Sequence, residues 1–246
     1  MVPGRAFIPH VPAGVVALDV TLAREAVVSF LDYPPGHAPP ARIATLLDEL
    51  LPEARGLVQA RGAVAELDPE RAGDLGLPRL DADGLVLGLV TIGGALEARA
   101  SELASASQAT RALLLDAAGS AAAEEAADRL SALLVAGPAE PSGGPPEPAS
   151  AVPCRLSPGF GRWPLERQRE LFACVPHQEL GVRLSPACLM VPRKSISFAL
   201  WLGAREPIGF GLRGCAHCTL ERCRHRGGPP TLGALPPPSP HRGDRP

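Results

Sequence analysis

Lysine is almost missing from this 246-residue sequence: of the 24 basic residues only Lys194 is a lysine, and the rest are arginine. With alanine frequent throughout, that is a bias of the whole chain, and an isolated arginine carries little weight. No apolar run approaches the roughly 18 residues that span a bilayer. The opening Met1-Val2-Pro3-Gly4-Arg5 lacks the apolar core of a secretory signal. A cytoplasmic protein with no membrane partner is expected. A formal net charge of -2 provides no basic field, which argues against nucleic acid as a partner. G-x-S-x-G, the P-loop and H-E-x-x-H are all absent, so the main hydrolase and nucleotide-binding signatures are excluded. His10, His37, His177 and His241 show no mutual spacing that suggests a site.

What is present is an ordinary globular composition, 46% hydrophobic and 20% charged, with an unusual 29 prolines and 26 glycines. Residues 1–20 are broken by Pro3, Pro9 and Pro12 and give only a short apolar Val15-Val16-Ala17-Leu18. From Thr21, as cap, the spacing of Leu22, Ala26, Val27, Phe30 and Leu31 predicts a helix. Ile43, Leu46, Leu47, Leu50 and Leu51 predict a second after Pro40. Residues 57–67 read equally as strand or irregular chain. Leu85 to Ile92 is a continuous apolar run of strand length between Asp81-Ala82-Asp83-Gly84 and Gly93-Gly94, the pattern of a fully buried strand. Alanine-rich helices are expected over 95–107 and 109–135, with Gly119 permitting close approach of another backbone.

Residues 137–153 hold six prolines and three glycines and read as a flexible linker, and 227–246 hold seven prolines and read as a disordered tail. Between them a short helix is expected from Pro164 to about Cys174. A strand over Ser195–Leu202 should turn Ile196, Phe198, Leu200 and Leu202 inward. Helices and strands interleave without a βαβ rhythm, so the fold class is α+β, in one domain over 21–226.

Gly209-Phe210-Gly211-Leu212-Arg213-Gly214 matches G-x-G-x-x-G, but no helical pattern follows it and no acidic residue stands about 20 positions on. It is a decoy. Cys215-x-x-Cys218-x-x-x-x-Cys223 carries more, because three thiolates so spaced can clasp one zinc or iron–sulfur unit. Arg213, Arg222, Arg224 and Arg226 favour the thiolate form, and His217 and His225 are the nearest candidates for a fourth ligand. A metal-free, solvent-exposed segment is the alternative. Cys154, Cys174 and Cys188 sit among apolar residues as small core residues do. Arg155, ahead of the Pro158-Gly159 turn, can present a cationic fork and open backbone groups to a carboxylate, although a plain domain-edge turn explains the same residues. By pattern alone Glu124 and Glu125 belong to a solvated helix face.

Several of these segments together resemble one family. They are Arg155-Leu156-Ser157-Pro158-Gly159-Phe160-Gly161-Arg162-Trp163-Pro164, then Gln168, Leu171-Phe172, Leu180 to Leu184 and Met190 to Ser197. In the first half Glu25 to Tyr33, Thr91-Ile92-Gly93 and Leu115 to Glu124 also match. The family is the S-adenosylmethionine-binding activation (reactivation) domain of cobalamin-dependent methionine synthase, in its short standalone form. The resemblance spans about 21–226 and includes the terminal cysteines. It implies a bent, mainly antiparallel sheet with helices, and S-adenosylmethionine in a groove. It also implies a corrinoid (cobalamin-binding) partner protein and a reductant protein, which together restore methylcobalamin.

The binding residues it implies are Glu124, Arg155, Ser157, Gly159 and Phe160. Arg155 would pair with the ligand carboxylate, and Glu124 would face its ammonium or sulfonium. Phe160 stands where the family usually has tyrosine, which removes a phenol hydroxyl but keeps ring contact with a sulfonium. The chain has no D-x-H-x-x-G cobalamin motif, so a component of the methyltransferase system is implied rather than a self-sufficient enzyme. The competing reading is a small cysteine-cluster protein, metal-binding or electron-transferring, without an S-adenosylmethionine site.

Overall fold

The computed structural model describes residues 14–31, 33, 37–135, 155–160 and 163–203. The apolar run at 85–92 becomes β3, Gly84–Thr91, and every one of its eight residues is buried. Such a strand must be central and covered on both faces. It pairs antiparallel with β2, Arg61–Leu67, and with β7, Ser195–Leu202. β1, Val15–Ala17, continues the sheet beyond β2, and β4, Arg155–Leu156, continues it beyond β7. The order is β1-β2-β3-β7-β4, antiparallel at every step. A two-stranded ribbon of β5, Arg183–Leu184, and β6, Met190–Val191, stands apart from it. The expected α+β class is the observed one, and the undecided stretch at 57–67 resolves into β2.

One face of the sheet carries the larger core. Val86, Val90, Phe198, Leu200 and Leu202 pack there with α2 (Ala41–Leu57), α3 (Ala95–Ser105) and α4 (Ala109–Val135). α4 is 27 residues long, so it extends about 40 Å. Its buried Ala117, Ala118, Ala121, Ala122, Ala123, Ala126 and Ala127 keep it close to its neighbours along that length. The other face is covered by Trp163, Leu171, Phe172, Val175, Leu180 and Val182, which meet Leu85, Leu87, Ala199 and Trp201. α5, Gln168–Cys174, follows a single 3-10 turn at Leu165–Arg167 and supplies part of this cover. Trp163 is fixed by its indole N–H, which donates to the Leu75 carbonyl at 2.8 Å.

Two expectations change. Ile196, Phe198, Leu200 and Leu202 do face the helices, yet Ala199 and Trp201 on the opposite side of β7 are equally buried under the second core. The alternation marked two different cores, not an inside and an outside. The first helix is also shorter than expected: α1 runs Arg24–Val28, and Ala23 precedes it with no side-chain cap. Thr21 is not a cap, because its hydroxyl is committed to Glu125 on α4 at 2.8 Å.

Candidate functional site

Four polar residues of α4 fall four apart: Asp116, Ser120, Glu124 and Asp128. That spacing lines them along one side of the helix. The sheet and its connections answer them with two cations. Lys194, at the entrance to β7, places its Nζ 2.8 Å from Asp116 Oδ1 and donates to Ser120 Oγ at 2.9 Å. Arg155, on β4, donates from Nη2 to Glu124 Oε2 at 2.6 Å and stands 3.2 Å from Asp128 Oδ1. The Asp128 contact is an ion pair without hydrogen-bond geometry, and Asp128 Oδ1 has no hydrogen-bond partner among the described residues. Gly119 explains how Lys194 reaches across. A Cβ there would meet Leu96 Cδ2 at 2.9 Å and Lys194 Cε and Cγ at 3.2 Å, so what Gly119 admits is side chains rather than a backbone.

Arg155 is the most buried charge in this group, its side chain only 4% exposed against 34% for Glu124 and 44% for Asp128. Two strand residues create its berth. On β3 Gly88 lies opposite Phe198, and a Cβ at Gly88 would come within 2.4 Å of the ring. The absent side chain lets the Phe198 ring lie across the sheet, and the Arg155 guanidinium carbon sits 5.5 Å over the ring centroid. Arg155 Nη1 remains buried with no hydrogen-bond partner among the described residues. A buried donor of that kind is costly, by about 1–3 kcal/mol, unless something else satisfies it.

Beside these carboxylates a pocket of about 230 Å³ opens between α1 and α4. Glu124, Glu125, Asp128 and Ala121 form one wall, and Thr21, Ala23, Ala26, Ser29 and Phe30 form the other. Glu125 joins the two walls. Its carboxylate accepts from the Thr21 N–H at 2.9 Å, the Thr21 hydroxyl at 2.8 Å and the Leu22 N–H at 2.9 Å, with Arg129 at 3.4 Å. Burial acts to raise the Glu125 carboxyl, but the bonds from Thr21, Leu22 and Arg129 together outweigh it and hold the group below its ordinary value of 4.5. Leu22 takes a left-handed backbone, φ 49, and is fully buried. The Leu22 carbonyl accepts from Arg55 Nη2 at 3.1 Å, so the strained turn is pinned on both sides.

Of the expected binding residues, the structure brings Glu124 and Arg155 together from 31 positions apart, and at present they are paired with each other. Ser157, Gly159 and Phe160 form the turn after β4 and do not line the α1–α4 pocket. Gly159 needs its glycine, with φ 90, and its N–H donates to the Trp163 carbonyl at 2.8 Å. The Phe160 N–H donates to the Ser157 carbonyl at 3.1 Å. The backbone donors of these two residues are therefore used inside the turn, while the Phe160 ring is half exposed. Asp128, Thr21 and the Gly88–Phe198 pair were not anticipated. The i+4 repeat through Asp116, Ser120, Glu124 and Asp128 was the available signal for the first of them.

No protein-family profile matches the chain, and no curated protein matches it. Among solved structures, the crystal structure of the MetH reactivation domain bound to AdoHcy matches 82% of this chain and 83% of that chain. The TM-score is 0.55 at 16% sequence identity. The fold is that of the MetH reactivation domain. At this identity what is shared with that reactivation domain is architecture, and the α4 carboxylates and Arg155 rest on this chain's own geometry. Cys215, Cys218, Cys223 and the Gly209–Gly214 motif lie outside the described residues, as do the 137–153 linker and the 227–246 tail. Among the described residues no group of three histidine, cysteine or acidic side chains is placed to hold a metal ion. Cys188 is buried and Cys174 half-buried, both as free thiols. No described helix is long and apolar enough to cross a membrane.

Proposed function

We propose that this chain is an S-adenosylmethionine-binding activation module that supports reductive remethylation of a corrinoid held by a partner protein. One observation carries the reading: a buried arginine, whose Nη1 has no hydrogen-bond partner among the described residues, is paired with two of the three carboxylates that line a pocket, on a reactivation-domain fold. An amino-acid ligand with a further positive charge suits both halves of that arrangement. Its carboxylate would take Arg155 Nη1, and its ammonium and sulfonium would face Glu124 and Asp128. The pocket volume of about 230 Å³ falls below the range typical for a whole drug-sized ligand. It suits the methionine end, leaving the nucleoside outside the pocket.

The bound S-adenosylmethionine supplies a methyl group, and a separate reductant protein supplies an electron. This chain's own residues orient the ligand: Arg155 anchors the carboxylate end, Glu124 holds the cationic end, and Phe30 closes one wall. The corrinoid comes with the partner, in keeping with a chain that lacks the D-x-H-x-x-G motif. Ser157, Gly159 and Phe160 belong to the proposed site as the turn next to Arg155. Cys215, Cys218 and Cys223 form a separate proposed metal group, zinc or iron–sulfur, and the cytoplasm is the proposed location.

Calorimetric titration of the purified chain with S-adenosylmethionine tests the reading. One site per chain is expected, weakened in Glu124→Gln while that variant stays folded. No binding by the wild-type chain would overturn it.

A further inference from the structure

We infer that the α1–α4 pocket reads the charge on the ligand's sulfur, holding the sulfonium donor and releasing the thioether that remains after its methyl group has left, and that Asp128 is the specificity-determining residue. The inference rests on the S-adenosylmethionine reading and goes a step beyond it. The charges facing the pocket are unequal. Among the described residues that line it, the charged ones are Glu124, Glu125 and Asp128, and none is cationic. The cations are set back, with Arg155 on Glu124 and Asp128, Arg129 on Glu125, and Arg55 on the Thr21 and Leu22 carbonyls, so the surplus presented to a ligand is negative.

The three carboxylates are not equivalent. Glu125 is consumed by the Thr21 and Leu22 bonds that tie the walls together. Glu124 is hydrogen-bonded to Arg155 at 2.6 Å. Among the described residues Asp128 has the 3.2 Å ion pair with Arg155 and no hydrogen bond at its buried Oδ1. It is the carboxylate with the most capacity left for a ligand cation. Arg155 is the independent sign that a ligand belongs here, since its side chain is nearly all buried and Nη1 has no hydrogen-bond partner among the described residues.

A ligand with one carboxylate, one ammonium and one sulfonium carries net +1. Loss of the methyl group as a cation equivalent to an acceptor returns the sulfur's bonding pair and leaves a neutral zwitterion. The surplus negative charge attracts the first and is indifferent to the second. Glu124 and Asp128 are 34% and 44% exposed, so screening reduces the discrimination to about tenfold in affinity.

Titration of the full chain at low salt with S-adenosylmethionine, S-adenosylhomocysteine and sinefungin tests this. Sinefungin carries a protonated amine where the donor has its methylsulfonium. The two cationic ligands should bind about tenfold more tightly than S-adenosylhomocysteine, with the ratio shrinking in 0.5 M salt as the Debye length falls to a few ångströms. Asp128→Asn should bring the ratio near one while S-adenosylhomocysteine still binds. Equal affinities for all three ligands in the wild-type chain would overturn the inference and leave the functional reading standing. A ratio unchanged in Asp128→Asn would remove Asp128 from the role. Failure of every ligand to bind would overturn both.

Discussion

Replacing Arg155 by methionine keeps an unbranched stem over Phe198 and deletes the charge, which makes it the cleanest perturbation of the site. In a fully buried setting the 2.6 Å bond to Glu124 is worth roughly 1.5–3 kcal/mol as a hydrogen bond between charged groups. Glu124 is 34% exposed and regains water when its partner goes, so about 1 kcal/mol is the better figure. Loss of the guanidinium from the Phe198 ring adds about 0.5–1 kcal/mol. The Asp128 pair adds a few tenths, since Asp128 is 44% exposed. Removing Nη1, which has no hydrogen-bond partner among the described residues, offsets part of this total. A net loss of about 1–2 kcal/mol follows, equivalent to about 2–8 °C in the melting midpoint for a core of this size. The effect on ligand affinity should be larger, about 2–4 kcal/mol, because the ligand carboxylate loses its charged partner. Thermal denaturation and calorimetry on the same preparation separate the two effects. A folded Arg155→Met with wild-type affinity would refute the assignment of Arg155 to the ligand carboxylate.

Gly88→Ala should destabilise the fold by about 1–3 kcal/mol, because the added Cβ meets a ring that Arg155 covers from above; denaturant unfolding measures it, and a neutral result would show that the ring can move aside. Glu125→Gln should cost about 1–2 kcal/mol at pH 7 by weakening the bonds that hold Thr21 and Leu22. The depressed Glu125 carboxyl contributes stability that is fully present above its ordinary value of 4.5 and is lost as pH falls through its lower folded value. Melting midpoints of wild type and variant should therefore draw together as pH falls from 4.5 through that lower value, and a gap that does not narrow on acidification would contradict the reasoning.

The two central strands β3 and β7 and the long helices were readable because their signals are local. The run 85–92 had nothing polar to expose, and the alanine-rich stretch 109–135 had no breaker but Gly119. β7 was placed residue for residue, yet its second buried face was missed, since Ala199 and the serines do not look like core residues. Thr21 was misread because a side-chain cap and a bond to a residue 104 positions away use the same hydroxyl. The site followed the same division. Glu124 and Arg155 came from a resemblance between segments, and Asp128 was missed although it lies one helical turn beyond Glu124. Its meaning depends on Arg155 arriving from β4, and only the tertiary fold supplies that. The Gly88–Phe198–Arg155 stack was beyond reach for the same reason, because no one of those three residues signals the other two.

The central claim is that S-adenosylmethionine binds between α1 and α4 with its carboxylate on Arg155. A crystal structure of the full chain grown with S-adenosylmethionine tests it most directly. The account predicts density for the methionine end in the pocket lined by Thr21, Glu124 and Asp128, with a ligand carboxylate oxygen within hydrogen-bond distance of Arg155 Nη1. Ligand bound elsewhere on the chain, with Arg155 still paired only to Glu124 and Asp128, would contradict it.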